Sequence, residues 1–420
     1  MPSLTVPGDK SMSHRALMFA ALANGESVLR GVLPSADVRS TAGVLRALGV
    51  GVAGAWSAGE ELRIVGRGRR GLSAPQTPLD CGNSGTTTRL MAGIVAGHNM
   101  SATFIGDASL SQRPMRRIAR PLTQMGASFG FAADDGLPMT VQGGALQDIA
   151  WISPTSSAQV KSAILLAALV AGCSARVQEP TRSRDHTERM LASLGAPLIV
   201  TEDAVLLDPV DALAPLQFEV PGDPSSALFL IACAVLRGQP LEVRNVGINE
   251  TRSGAFDVLV RMGVTLTFVN QRDSGGEPVA DIHVAPCAGL LGVSIGGAEI
   301  PALIDEIPIL ACLAASADGE TRITDAGELR VKESDRISAV VTNLRAVGAD
   351  AEELPDGMVI RGGTRRFVGR VVTHADHRIA MAFGVLGALD GSSITVDDPD
   401  CVDVSFPGYW AVLDALVAAR

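Results

Sequence analysis

Aromatic residues make up only 4% of the 420-residue chain, with a single tyrosine. The interior is therefore expected to be aliphatic, built from Ala, Val, Leu and Ile rather than from stacked rings. No stretch approaches the roughly 18 consecutive apolar residues that a membrane-spanning helix needs, and Met1-Pro2-Ser3-Leu4 has neither the basic nor the apolar part of a signal peptide. The expected location is the cytoplasm, with no membrane partner. Ser/Gly, Pro and Gln tracts are missing as well, so no disordered linker is expected. The six cysteines (Cys81, Cys173, Cys233, Cys287, Cys312, Cys401) form no CxxC pair and read as buried free thiols in a reducing compartment. Positive charge is in deficit: 35 basic against 45 acidic residues leave a net charge of −10. This argues against a nucleic-acid partner, whose backbone demands cations.

What the chain does have is length and repetition. Its size exceeds the usual ceiling for one hydrophobic core, which predicts about two or three domains. Val6-Pro7-Gly8-Asp9 recurs as Val220-Pro221-Gly222-Asp223, each leading into an Ala/Leu-rich helical run. A small polar start is read before each of six such runs, near Ser11, Asn83, Ser156, Asp223, Ile307 and Asp376. After each run come a break, a short β-branched strand and a second amphipathic helix. In five units that helix ends on an apolar-Gly-small signature: Leu48-Gly49-Val50, Met125-Gly126-Ala127, Leu194-Gly195-Ala196, Met262-Gly263-Val264 and Val347-Gly348-Ala349. Glycine there suits the left-handed residue that follows a helix. The sixth unit stops inside its second helix, Tyr409 to Arg420, so its missing strands are expected to come from elsewhere, with the N-terminus as the candidate. The prediction is α/β: two similar domains of three repeats each, residues 9–221 and residues 222–420 with 1–8.

Polar residues gather at the helix starts. Ser, Thr, Asn and Asp there cap free N–H groups, but capping does not explain the cations: Lys10 and Arg15 around Ser11-Met12-Ser13-His14, Arg89 after Asn83-Ser84-Gly85-Thr86-Thr87-Thr88, and Arg378 after Asp376-His377. A cation at a helix N-terminus opposes the macrodipole, whereas an anion is welcomed by the dipole and the N–H groups together. Cations in these places imply anionic ligands, and Gly85 would let backbone N–H groups approach a phosphate. The segment from Glu328 to Arg336 is expected to open a second helix, with Lys332 and Arg336 four apart on one face. Leu303-Ile304-Asp305-Glu306-Ile307-Pro308 places acids in an apolar stretch, where carboxylates are costly unless paired or functional; Asp305 is the candidate base. His374 and His377 flank Asp376 without third and fourth ligands, so no metal is expected. The basic Gly66-Arg67-Gly68-Arg69-Arg70 reads as an exposed turn without a role.

Taken together, Gly8-Asp9-Lys10-Ser11-Met12-Ser13-His14-Arg15, Asn83-Ser84-Gly85-Thr86, Gln112-Arg113-Pro114-Met115, Ser157-Ala158-Gln159-Val160-Lys161-Ser162, Arg330-Val331-Lys332-Glu333-Ser334-Asp335-Arg336 and Asp376-His377-Arg378 resemble the ordered motifs of the 5-enolpyruvylshikimate-3-phosphate synthases, from about residue 6 to 412. The resemblance implies that family's fold, two domains of three βαβαββ units with helices inside (an inside-out α/β barrel of the enolpyruvyl transferase type), with the active site in the cleft between them. It implies transfer of an enolpyruvyl group from phosphoenolpyruvate to shikimate-3-phosphate by a monomer without cofactor. Carried over residue by residue, shikimate-3-phosphate would meet Lys10, Ser11, Arg15, Ser157, Gln159, Arg184, Asp305 and Lys332. Phosphoenolpyruvate would meet Lys10, Gly85, Arg113, Gln159, Arg336 and Arg378. Asp305, Glu333 and Lys10 would carry the proton transfers.

Two positions depart from the pattern. A lysine of one branch, just before the C-terminal Ser/Thr-Phe-Pro, is Val404 here, and an asparagine four residues before Lys332 is Glu328. Two other readings stand beside this one. UDP-N-acetylglucosamine enolpyruvyl transferase usually offers a loop cysteine, where this chain reads Ser109-Leu110-Ser111-Gln112-Arg113-Pro114. A non-catalytic repeat scaffold would not require Lys10, Arg113, Asp305, Glu333, Arg336 and Arg378 together.

Overall fold

The polar starts of five units act as helix caps in the computed structural model, which describes residues 1–57 and 59–419. Asp9 Oδ1 accepts from Met12 N at 2.8 Å, Ser84 Oγ from Thr87 N at 3.1 Å and Ser157 Oγ from Val160 N at 3.4 Å. Asp223 and Asp376 do the same for Ser225 N at 2.7 Å and Arg378 N at 3.0 Å. The fifth start has no side-chain cap. The helices that follow are Lys10–Leu22, Gly85–Ala96, Ala158–Ala171, Pro224–Leu236, Ile307–Ser316 and His377–Gly387. They are buried on almost every residue, as helices apolar all round must be, and they form the cores around which the sheets are laid. Close approach is enforced locally: a Cβ on Gly93 would lie 2.3 Å from Ala163 O, so the second and third of these helices touch backbone to backbone.

The second helices, Ala36–Ala47, Arg116–Met125, His186–Ser193, Gly254–Arg261, Arg336–Ala346 and Tyr409–Ala418, each leave one face exposed. At the five signature glycines the backbone is left-handed: φ is 89° at Gly49, 117° at Gly126, 78° at Gly195, 98° at Gly263 and 94° at Gly348. Arg420, included in the expected last helix, lies outside the described residues.

One sheet pattern recurs. A short leading strand runs parallel to the strand after the first helix, and that strand continues into an antiparallel hairpin. Leu79–Asp80, Ser101–Ile105, Met139–Gln142 and Ser128–Phe131 lie side by side in that order. The same arrangement gives five four-stranded sheets among the described residues; the sixth unit contributes only the parallel pair Val368–Val371 and Ser393–Val396. The chain end does not complete that sheet, contrary to expectation. Ser3–Thr5 pairs instead with Leu241–Gly247 in the fourth unit, while Gln217–Glu219, which precedes the fourth unit, pairs back with Asn24–Arg30 in the first. The two Val-Pro-Gly-Asp copies are thus crossover points at which the chain exchanges leading strands.

By compactness the chain divides into one unit of Gly8–Val220 with Asp273–Glu277 and a second of Met1–Pro7, Pro221–Arg272 and Pro278–Arg420. The short segment Asp273–Glu277 is a hairpin tip that joins the first unit, where Ser274 Oγ donates to Glu219 O at 2.9 Å. Each unit has its own aliphatic core. The second also holds a knot of rings that the aromatic-poor composition did not suggest: Tyr409 meets Phe406, Phe229 and Trp410 edge-on at 5.4, 6.2 and 5.1 Å, and its hydroxyl donates to Met381 O at 2.9 Å. The six cysteines are free, and burial pushes the Cys81 thiol up to about 12. Among the described residues no helix is long and apolar enough to cross a membrane.

Candidate active site

In the unit of residues 8–220 the polar groups collect at the N-terminal ends of its three core helices. Lys10 Nζ lies 2.5 Å from Asp37 Oδ2. Arg15, one turn on and 3% exposed, donates to Ser11 O at 3.0 Å, Ser162 Oγ at 2.9 Å and Thr187 Oγ1 at 2.8 Å, which ties three helices together. Burial lowers its pKa to about 10 even though Glu188, Asp9 and Glu277 counteract it, so it remains a cation at neutral pH. Beside it His14 bonds Thr41 Oγ1 at 2.6 Å. Burial, then Lys10 and Arg15, hold its pKa well below the usual histidine value.

The second helix start brings Gly85, Arg113 and Gln159 together. A Cβ on Gly85 would sit 2.8 Å from Arg89 Nη1 and 3.6 Å from Arg113 Nη1. Arg113 donates to Asn83 O at 3.3 Å and Asn83 Oδ1 at 2.6 Å, and Arg89 donates to Gln159 Oε1 at 2.7 Å. Gln159 Nε2 in turn donates to Thr86 Oγ1 at 3.1 Å. Forked donors with bare backbone beside them are the geometry that binds two oxygens of one anion. Arg89, read from the sequence as one of the cations but left out of the ligand set, belongs to this group. Ser157 stands at the third helix start, and half-buried Arg184 lies just ahead of His186–Ser193.

In the other unit, Asp305 is the centre. Its Oδ1 lies 3.4 Å from Lys332 Nζ and 3.2 Å from Arg336 Nη1; its backbone oxygen accepts from Arg378 Nη1 at 3.0 Å. Arg336, only 1% exposed, is also held by Glu333 at 2.7 Å and by Asp376 at 2.8 Å through Nε. Burial would lower its pKa, but Asp376, Glu333 and Asp305 more than reverse this and raise it above the usual arginine value. Asp376 is the mirror case: burial would raise its pKa, and Arg336 outweighs burial and holds it below the ordinary aspartate value. Neighbouring Glu306 accepts from Arg252 Nη1 at 2.8 Å and from Arg378 Nη1 at 3.4 Å, and from Ser225.

This arrangement corrects one expectation about the segment Glu328 to Arg336. Gly327–Val331 is a 3-10 turn, Lys332 is extended, and the helix begins only at Arg336 because Asp335 caps it, accepting from Ser338 N at 3.1 Å. Lys332 and Arg336 therefore do not share a helix face, yet both reach Asp305. The basic turn after Gly66 also has a role: Arg69 donates to Val170 O at 3.0 Å and to Asp211 O at 3.0 Å, closing off the C-terminal end of Ala158–Ala171, where cations complement the dipole. Among the described residues no group of three or more His, Cys, Asp or Glu is placed to hold a metal. Asp376 is engaged by Arg336, Ser334 and the helix end.

What the geometry can do is bind strongly anionic ligands through fixed guanidiniums and offer a carboxylate, Asp305, kept among cations. The profile of EPSP synthase (3-phosphoshikimate 1-carboxyvinyltransferase) matches residues 2–413. A 3-phosphoshikimate 1-carboxyvinyltransferase of Desulforudis audaxviator is 48% identical, over 98% of this chain and 96% of its own length. Among solved structures, EPSP synthase from Acinetobacter baumannii superposes with a TM-score of 0.86 at 40% identity, covering 99% of this chain and 95% of its own. The enolpyruvyl transferase NikO from Streptomyces tendae, at 18% identity and a TM-score of 0.75 over 99% and 94%, shares the fold.

Proposed function

We propose, from the premise that this chain belongs to the EPSP synthase family and transfers the enolpyruvyl group of phosphoenolpyruvate to the 5-hydroxyl of shikimate-3-phosphate with release of phosphate, that its two polar clusters supply the ligands and proton carriers of that reaction. The shikimate-3-phosphate set is Lys10, Ser11, Arg15, Ser157, Gln159 and Arg184 together with Asp305 and Lys332. The phosphoenolpyruvate set is Lys10, Gly85, Arg113 and Gln159 together with Arg336 and Arg378. Each set thus includes residues of both clusters.

The chemistry follows from the charges. The 5-hydroxyl oxygen forms a bond to C2 of phosphoenolpyruvate, its proton passes to Asp305, and the C3 methylene gains a proton, giving a tetrahedral adduct. In the second half C3 returns a proton, the bond from C2 to the phosphate oxygen breaks, and phosphate leaves with its electron pair. Glu333 and Lys10 serve C3. Glu333 is suited to this because its carboxylate is anchored on Arg336 at 2.7 Å. Fixed guanidiniums aimed at the departing phosphate stabilise its charge without reorganising. The observation that carries the assignment is Asp305 placed within 3.4 Å of Lys332 and 3.2 Å of Arg336, a carboxylate set beside cations of both ligand sets. Arg113→Ala and Arg378→Ala test the ligand division. Each should raise KM for phosphoenolpyruvate at least about tenfold, since a lost charge-assisted bond is worth roughly 1.5–3 kcal/mol, and an unchanged KM in both would sink it. The working form is proposed to be a cytoplasmic monomer, which light scattering at assay concentration tests: a dimer mass would refute it.

A further inference from the structure

The first unit contains a buried cluster of charge that the roles above leave unused. Lys161, from the Ser-Ala-Gln-Val-Lys-Ser motif, is 1% exposed, with Glu179 Oε2 and Glu188 Oε1 each 2.8 Å from Nζ. Its ammonium also donates to Ser183 O at 3.3 Å. Burial alone would favour loss of its proton, but Glu188 and Glu179 more than reverse this and hold its pKa above the usual lysine value. Lys161 is a fixed cation between two carboxylates, and of the two it is Glu179 that reaches the loops.

Glu179 follows the strand Ala175–Gln178, and its side chain is 7% exposed. Its carboxylate accepts from Ser157 N at 2.7 Å, from Ser183 N at 3.3 Å, and from Ser183 Oγ at 2.8 and 2.7 Å. A second stitch runs alongside: Ser156 Oγ donates to Thr181 O at 2.5 Å and accepts from Thr181 N at 3.0 Å. Two loop ends, one leading into the Ala158–Ala171 helix and one leading into His186–Ser193, are therefore pinned to a single carboxylate. Both loops carry residues assigned above to shikimate-3-phosphate, Ser157 and Arg184.

A carboxylate close to residues that bind a phosphomonoester is electrostatically unfavourable unless its charge is spent elsewhere. Here Lys161, shared between Glu179 and Glu188, offsets part of it, and Glu179 also sets geometry: the backbone direction at Ser157 and the spacing of the two loops. We infer that Glu179, paired with Lys161, is a positioning residue that holds Ser157 and the Ser183-Arg184 stretch in the arrangement that binds the phosphate of shikimate-3-phosphate. The inference rests on the assignment of Ser157 and Arg184 made under the proposed function.

The experiment measures KM for each substrate separately, on the full chain, in Glu179→Ala, Glu179→Gln and Ser157→Ala. Glu179→Ala should raise KM for shikimate-3-phosphate about tenfold or more, while KM for phosphoenolpyruvate stays within about twofold; tenfold corresponds to about 1.4 kcal/mol. Glu179→Gln, which keeps an oxygen to accept from Ser157 N, should fall between Glu179→Ala and the wild type. If Glu179→Ala fails to fold, Glu179→Gln, unchanged in volume, carries the test. An unchanged KM for shikimate-3-phosphate in the folded Glu179 variants, or an equal rise for both substrates, overturns the inference. Ser157→Ala separates the levels: if it raises KM for shikimate-3-phosphate and the Glu179 variants do not, only the positioning role falls; if it changes nothing, the site assignment fails and the inference with it.

Discussion

Asp376→Asn isolates the electrostatic keystone of the second unit. Asp376 is fully buried and receives Arg336 through Nε at 2.8 Å and Nη2 at 3.2 Å, Ser334 Oγ at 2.9 Å and the Arg378 backbone N–H at 3.0 Å. Asparagine keeps the shape and caps a helix as well as aspartate does, so the His377–Gly387 helix should persist and the loss is that of charge. Breaking one side of a buried pair costs about 3–5 kcal/mol. Arg336 retains Glu333 at 2.7 Å and Asp305 at 3.2 Å, which places the expected cost at the low end, about 3 kcal/mol. The pH dependence supplies a second check. The folded-state pKa of Asp376 is depressed, so its contribution is fully present above the unfolded value of about 3.9 and is lost as pH falls through the folded value. Urea unfolding of wild type and variant should therefore differ by a constant amount from pH 7 down to about 4 and converge below it. A difference under about 1 kcal/mol at pH 7 would mean the pair behaves like an exposed salt bridge, and would refute the claim that it organises the site.

Two further outcomes follow from buried features. His14 has a folded-state pKa well below the usual value, so between that value and about 6.5 the unfolded chain binds the extra proton, and stability falls with pH by up to about 1.4 kcal/mol per unit; His14→Gln should show a shallower loss between pH 6.5 and 5 in the same urea series, and an identical slope would show that His14 is not buried as a neutral ring. Gly93→Ala puts a methyl 2.3 Å from Ala163 O and should cost about 1–3 kcal/mol by overpacking, read as a lowered Tm; a Tm equal to wild type would mean that the helices can separate freely.

The local grammar of this chain was legible and its long-range pairing was not. Helix caps at Asp9, Ser84, Ser157, Asp223 and Asp376 and left-handed glycines at Gly49, Gly126, Gly195, Gly263 and Gly348 depend on neighbours within a few residues, and sequence displays those directly. The lead strands are different. Ser3–Thr5 pairs with Leu241–Gly247, and nothing in three residues specifies a partner so distant. The same limit hid Asp376 and Glu306 as holders of Arg336 and Arg378, since those pairs join residues 40 and 72 apart. Lys332 and Arg336 were expected on one helix face through a spacing rule that ignored Asp335, whose capping side chain starts the helix after it. The ring cluster around Tyr409 shows that a low aromatic content says little about where the few rings gather.

In the proposed mechanism Asp305 accepts the hydroxyl proton among the cations that bind the ligands. Phosphate release from phosphoenolpyruvate and shikimate-3-phosphate, followed with the mass of the organic product for wild type and Asp305→Ala, tests it most directly when both ligands are also titrated. Wild type should release phosphate and form the enolpyruvyl ether, and Asp305→Ala should still bind both ligands with turnover reduced by about 10²–10⁴-fold, the usual worth of a general base. Turnover near the wild-type rate in a folded Asp305→Ala that binds both ligands would contradict it.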